Sequence, residues 1–216
     1  MFPIALGSKP GAPLRFLCLG AHSDDIEIGC GASMLRLLRE HPHSTVDWVV
    51  LSATPERELE ARASAADFLV DAGVRNVTVK DFRESYFPYV AVEIKEFFET
   101  LKAATPDLVF CHRRADLHQD HRLVSELAWN TFRNHLIFEY EIAKYEGDLG
   151  QPNVFVPIAR AIAERKVELL HRHFRSQAKR AWFQADTFHG LMSIRGVECN
   201  AAEGRAEAFY VSKSTL

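Results

Sequence analysis

The sequence predicts an α/β protein with a mostly parallel central sheet covered by helices on both faces. Two observations carry this. The apolar run LRFLCLG, residues 14–20, reads as a buried strand and is followed at once by helical spacing in IGCGASMLRLLRE, 28–40. The same strand-then-helix alternation then repeats down the chain, which argues for right-handed crossovers between parallel strands. A length of 216 residues, 47% hydrophobic and 25% charged, suits one full hydrophobic core of ordinary globular composition.

Taken in order, Gly29 and Gly31 of the first helix permit close backbone approach near its start. VDWVVLSA, 46–53, is a second strand. PERELEARASAADFLVDAG, 55–73, is a helix with Pro55 near its start and Gly73 at its end. A third strand falls at about 76–82, a helix at 91–104, and a fourth strand, DLVFCH, at 107–112. A helix follows from about Asp120 to Phe132, and FEYEIAKYE, 138–146, reads as a further strand. Beyond Glu146 the signals weaken to a loop, a short apolar run, a helix at 159–174 and a returning strand at 204–213. Residues 176–200 read as a loop over the strand ends. The whole chain, 1–216, is expected to form a single domain.

Several function classes recede at this level. A net charge of −3 gives no global argument for nucleic acid. No apolar run is long enough for a transmembrane segment, and the N-terminus MFPIALGSKPGAP lacks the pattern of a secretory signal. The four cysteines, Cys18, Cys30, Cys111 and Cys199, contain no C-x-x-C pair, which favours a reducing, cytoplasmic location. GCG after the first strand is not a G-x-G-x-x-G, so a dinucleotide site is not indicated.

Two unusual clusters stand at strand ends, where ligands bind in open α/β sheets. One is His22-Ser23-Asp24-Asp25; the other is HRRADLHQDH, 112–121. If the two strands are neighbours, the clusters face each other. A catalytic zinc site uses three protein ligands and keeps an open position. His22, Asp25 and His121 supply two imidazoles and a carboxylate, leaving Asp24, His118 and Asp120 for proton transfer and charge stabilisation. Zinc suits an imidazole-rich set better than magnesium, with Fe2+ or another divalent metal as alternatives. Spacing alone admits other divisions of these roles. His171 and His173, beside arginines, read as surface or packing residues.

AHSDDIE, 21–27, resembles the AHPDDE signature of the LmbE-like or PIG-L-like zinc-dependent N-deacetylases, and HQDH, 118–121, resembles that family's second motif. PERELEARASAADFLVDAG and GRAEAF, 204–209, resemble further stretches of it. The resemblance implies a Rossmann-like three-layer sandwich and hydrolysis of an N-acyl group, most often acetyl, from an amino sugar or glycoconjugate; the alternatives are a metal-dependent hydrolase of another amide or ester linkage, or a non-catalytic binding protein on the same fold. It assigns His22, Asp25 and His121 as metal ligands, Asp24 as general base and His118 as the stabiliser of the developing oxyanion. Asp120 becomes the partner that orients a protonated His118. Arg57 matches a substrate-contacting arginine, with Arg62 competing for that role. Two departures stand out. Ser23 replaces the signature's proline, and Glu27 is displaced by one position behind Ile26. The implied partner is a small-molecule N-acylated amino sugar, with homo-oligomer formation left open. Tyr86, Phe87, Tyr89, Phe155, Trp182, Phe183 and Phe188 lie on loops expected over the strand ends at 83–90, 147–157 and 176–200, either to stack on a sugar or to fill the core.

Overall fold

The computed structural model describes residues 5–7 and 9–214. The stretch read as lacking a secretory signal lies partly outside them. A seven-stranded sheet has the order β3-β2-β1-β4-β5-β7-β6. Its strands are β1 (Arg15–Gly20), β2 (Thr45–Val50), β3 (Val74–Val79), β4 (Leu108–His112), β5 (Leu136–Tyr140), β6 (Val154–Pro157) and β7 (Ala206–Tyr210). The first five run parallel; β7 is antiparallel to both β5 and β6. The returning segment expected at 204–213 therefore enters the sheet between β5 and β6, which makes the sheet mixed at that end.

The helices are α1 (Asp25–Glu40), α2 (Pro55–Phe68), α3 (Ala91–Leu101), α4 (Gln119–Thr131), α5 (Arg160–His173) and α6 (Ala185–Glu198). Alternate residues of the parallel strands face opposite layers, so both faces are buried and both must be apolar. Phe16, Cys18, Trp48, Phe110 and Phe138 pack with α1, α2, α5 and α6. Leu17, Leu19, Val49, Val109 and Ile137 pack with Ile94 and Phe98 of α3 and Val124 of α4. These are the three layers of a Rossmann-like sandwich.

The boundaries depart from the sequence reading in places that matter. Helix α1 starts at Asp25, three residues before the expected 28, with Asp24 in the capping position. Acidic Asp25 and Glu27 thus occupy its electropositive first turn. Helix α2 stops at Phe68 rather than at Gly73. Gly73 instead lets the chain pass His43, whose backbone would lie 2.7 Å from an added Cβ. Strand β5 ends at Tyr140, short of the expected 146, and Ala185–Glu198 is a helix where a loop was expected.

Gly29 admits the ring of Tyr140, since a Cβ there would lie 2.2 Å from a ring carbon. The Tyr140 hydroxyl donates to the Leu19 carbonyl at 2.6 Å, directly beneath the first strand end. Gly29→Ala is expected to lower stability by about 1–3 kcal/mol through overpacking. That outweighs the ~1 kcal/mol alanine gains in a helix interior. Urea unfolding measures the difference; an unchanged or raised midpoint would show that the Tyr140 ring yields without cost.

Candidate metal centre

Strands β1 and β4 are hydrogen-bonded neighbours, with Phe16 paired to Leu108 and Cys18 to Phe110. Connections leave this pair toward opposite sides of the sheet, which opens a crevice beyond their C-terminal ends. The two clusters meet there. His22 sits in the turn after β1 and Asp25 opens α1, while His121 lies in the first turn of α4. All three are buried.

Three atoms converge. His22 Nδ1 lies 3.1 Å from His121 Nε2 and 3.3 Å from Asp25 Oδ2, and His121 Nε2 lies 3.5 Å from that same oxygen. Ligands held about 2.0–2.1 Å from a tetrahedral metal stand roughly 3.3 Å apart. The donor chemistry and spacing therefore fit a divalent metal. His118 with His22 and His121, and His112 with Asp25 and His121, also bring donor atoms within 4.8 Å of one another. His121 belongs to every such set.

Each imidazole is held from behind. His22 Nε2 donates to Asp120 Oδ2 at 3.1 Å, and the Ser85 and Phe87 backbone N–H groups donate to the same carboxylate at 2.6 and 3.2 Å. His121 Nδ1 donates to Asp116 Oδ2 at 3.1 Å. This is the carboxylate–histidine arrangement that fixes tautomers in metal sites. Burial pulls His22 down, but the Asp25 charge and the Asp120 hydrogen bond outweigh it and push it up to about 10. Burial, with repulsion from His112, lowers His121 to about 3. Asp25 is held well below the usual range, because His121, His112 and His22 outweigh the cost of its burial.

The carboxylate of Asp120, expected to orient His118, has its hydrogen bonds elsewhere. It serves His22 and two backbone amides, and among the described residues it makes no hydrogen bond to the His118 ring. Only the Asp120 backbone N–H reaches that ring, donating to Nδ1 at 3.3 Å. Burial and the nearby His22 charge lower the His118 pKa, against the opposing pull of Asp120 and Asp25. A neutral ring accepting at Nδ1 still carries its proton on Nε2, so it remains a donor.

Asp24 stands beside this centre, 3% exposed. Its Oδ1 accepts from Arg57 Nη2 at 2.8 Å, while its buried Oδ2 has no hydrogen-bond partner among the described residues. Burial raises its carboxyl to about 6, against the opposing pull of Arg57. Arg57 also approaches Glu84 at 3.6 Å. Arg62 points elsewhere, to Glu58 and the Val77 carbonyl. Ser23, in the place of the signature's proline, is buried with its hydroxyl 3.4 Å from the Ser52 carbonyl. Glu27 is fully buried, pushed up to about 8 by that burial, and bonds none of the three converging residues.

An open cleft of about 260 Å³ rises above the centre, with Arg57, Glu84, Lys144, Tyr145, Arg180 and Trp182 in its walls. Of the aromatic residues named from the sequence, Trp182 faces this cleft, whereas Phe87, Phe183 and Phe188 are core. His171 packs against Phe183, and His173 pairs with Asp67 at 2.9 Å, both remote from the centre. Sequence reasoning assigned no role to His112, Asp116 or Lys144. His112 ends β4, stacks on His121 with ring centres 3.8 Å apart and lies 3.2 Å from Asp25 Oδ2. The strand alternation that buries Phe110 toward α1 also places His112 there, and Asp116 shared the quoted stretch, so both signals were present.

Solved structures share this fold. The conserved protein TT1542 from Thermus thermophilus is 22% identical, with a TM-score of 0.75 over 94% of this chain and 96% of that one. N,N'-diacetylchitobiose deacetylase from Pyrococcus horikoshii is 21% identical, TM-score 0.70, over 91% and 83%. GalB, the 4-carboxy-2-hydroxymuconate hydratase from Pseudomonas putida KT2440, is 16% identical, TM-score 0.74, over 94% and 98%. No curated protein matches the chain. Residues 17–132, more than half of the sequence and the part that carries both clusters, match the model of the PIG-L family, described as GlcNAc-PI de-N-acetylase, and the chain belongs to that family.

Proposed function

We propose that this chain is a zinc-dependent N-deacetylase that releases acetate from an N-acetylated amino-sugar conjugate. Metal-dependent amide hydrolysis follows from family membership together with the buried histidine–carboxylate cluster. The observation that carries the reading is the convergence of His22, Asp25 and His121 beside a buried Asp24 oxygen that lacks a partner among the described residues. Zinc is favoured over magnesium by the two imidazoles.

His22, Asp25 and His121 would hold a divalent metal, which would supply Lewis acidity and make water easier to deprotonate near neutral pH. Asp24 takes a proton from water through Oδ2, which has no partner among the described residues, while Arg57 fixes its other oxygen. The water oxygen bonds to the amide carbon, and the carbonyl oxygen becomes negative. His118 donates its Nε2 hydrogen to that oxygen. Asp24 then returns the proton to nitrogen, the C–N bond breaks, and acetate and a primary amine leave.

The walls favour a sugar. Arg57 and Glu84 present hydroxyl partners, and Tyr145 and Trp182 offer aromatic faces. Among the described residues no helix is long and apolar enough to cross a membrane. The four cysteines are free and buried, which supports a cytoplasmic setting.

The test is release of amine and acetate by zinc-loaded protein across a panel of N-acetylated amino-sugar conjugates. Zinc-dependent release from at least one is expected. Because the fold also carries a hydratase, turnover of 4-carboxy-2-hydroxymuconate without amine release from any amide would replace this reading.

Metal binding should also release protons. With His22 pushed up to about 10, the metal-free site holds a proton on a ligand atom at pH 7. Binding is expected to release about one proton, so affinity rises with pH, by up to about tenfold per unit, until His22 titrates. Calorimetry in buffers of different ionisation enthalpy measures it. No proton release would show that His22 is already neutral.

A further inference from the structure

We propose that Asp116 and Lys144 are positioning residues for the metal centre: Asp116 locks His121 with its hydrogen on Nδ1, and Lys144 holds Asp116 in place. The inference rests on the ligand set proposed above.

A neutral imidazole carries one hydrogen on either nitrogen, and only the bare nitrogen can bind a metal. His121 Nε2 faces His22 and Asp25, so the hydrogen must reside on Nδ1. Asp116 Oδ2 stands 3.1 Å from that Nδ1 and is the acceptor that enforces it. Asp116 is itself immobilised. It is 2% exposed, its Oδ1 accepts the His118 backbone N–H at 2.8 Å, and its Oδ2 also accepts from Lys144 Nζ at 3.0 Å. Lys144 is anchored in turn by both Asp148 oxygens at 2.6 Å. Asp148 also accepts the Leu117 backbone N–H at 2.7 Å, tying the segment after β5 to the loop before α4.

This chain of contacts has a functional consequence. Lys144 and Tyr145 form part of the cleft wall. The segment that would meet substrate is therefore the one that clamps a ligand's carboxylate. A shift of that wall is transmitted through Lys144 and Asp116 to the His121 ring.

The experiment compares wild type, Asp116→Asn, Lys144→Met and Lys144→Arg. Two readouts are independent of turnover: the zinc dissociation constant by chelator competition, and the ring 15N shifts of His121 in metal-free protein. Wild type should show a protonated Nδ1 and a bare Nε2. Asp116→Asn should weaken zinc binding by about 10–100-fold, the range for losing such an outer partner, and mix the two tautomers. Lys144→Met should move both readouts the same way by less, and Lys144→Arg should restore them. Lys144→Met carries the test if Asp116→Asn does not fold. Folded variants that bind zinc within about threefold of wild type with unchanged His121 shifts would overturn the inference and leave the deacetylase reading standing, as would a drop in melting temperature alone. Wild type that binds no zinc would instead overturn the ligand set, and this inference with it.

Discussion

Asp24→Asn is expected to reduce amine release by about 10²–10⁴-fold while leaving zinc stoichiometry unchanged. In transition-state terms that is about 3–5 kcal/mol. The upper end is favoured because one carboxylate takes the proton from water and later returns it to the leaving nitrogen. The geometry makes the variant informative. Oδ1 of Asp24 is occupied by Arg57 at 2.8 Å, and Oδ2, unpartnered among the described residues, is available for chemistry. Asparagine preserves shape and can still accept from Arg57, but it cannot take up a proton. Asp24→Ala should lose turnover equally and cost more stability, because among the described residues it leaves the half-buried Arg57 guanidinium with only Glu84, at 3.6 Å. Initial rates on the best substrate, with metal content measured on the same samples, decide it. Turnover within about tenfold of wild type would remove Asp24 as the base.

His121→Ala is expected to have the largest effect on metal. The loss in zinc affinity should exceed the roughly 100-fold that an outer-partner change can produce, because a directly coordinating nitrogen disappears. Among the described residues, His121 is also common to every converging set of donors in the crevice. The comparison with His118→Ala separates these sets. If His22, Asp25 and His121 are the ligands, His118→Ala should keep zinc affinity within a few-fold and lower turnover by about 10²–10³-fold, the loss typical of one oxyanion donor. Chelator competition on the apo proteins measures both. Equal losses of affinity would place His118 among the ligands, and an unaffected His121→Ala would break the proposed set.

Much of the fold was legible because fully buried parallel strands leave a strong mark. LRFLCLG and DLVFCH are apolar on both faces since helices cover both sides of the sheet. The meeting of the two clusters was legible for the same reason: β1 and β4 flank the switch point, so whatever follows each strand converges. What could not be read was non-local. Strand β7 inserts antiparallel beside β5 through pairings such as Tyr140 with Phe209, and no local pattern announces such a partner. Helix α6 reads as loop in the sequence because Gly190 and Gly196 interrupt it and its buried side, Phe188, Met192 and Arg195, includes a charge. That arginine is satisfied within the protein core by Glu141, far away in sequence. Gly73 looked like a helix stop, yet its smallness answers to His43.

At the centre itself, residue types were legible and partnerships were not. Asp120 lies two positions from His118, and proximity in sequence made them a pair. In the folded chain the backbone N–H groups of Ser85 and Phe87 draw the Asp120 carboxylate to the side where His22 lies. Asp116 finds Lys144 only because the segment after β5 folds over the loop before α4.

The most direct measurement is a titration of metal-free protein with zinc, following amine release from an N-acetylated amino-sugar conjugate at each point. No release without metal, a linear rise, and a plateau at about one zinc per chain are expected. Release that is already full in metal-free protein, or zinc bound at one per chain with no amide cleaved across the panel, would contradict a zinc-dependent deacetylase.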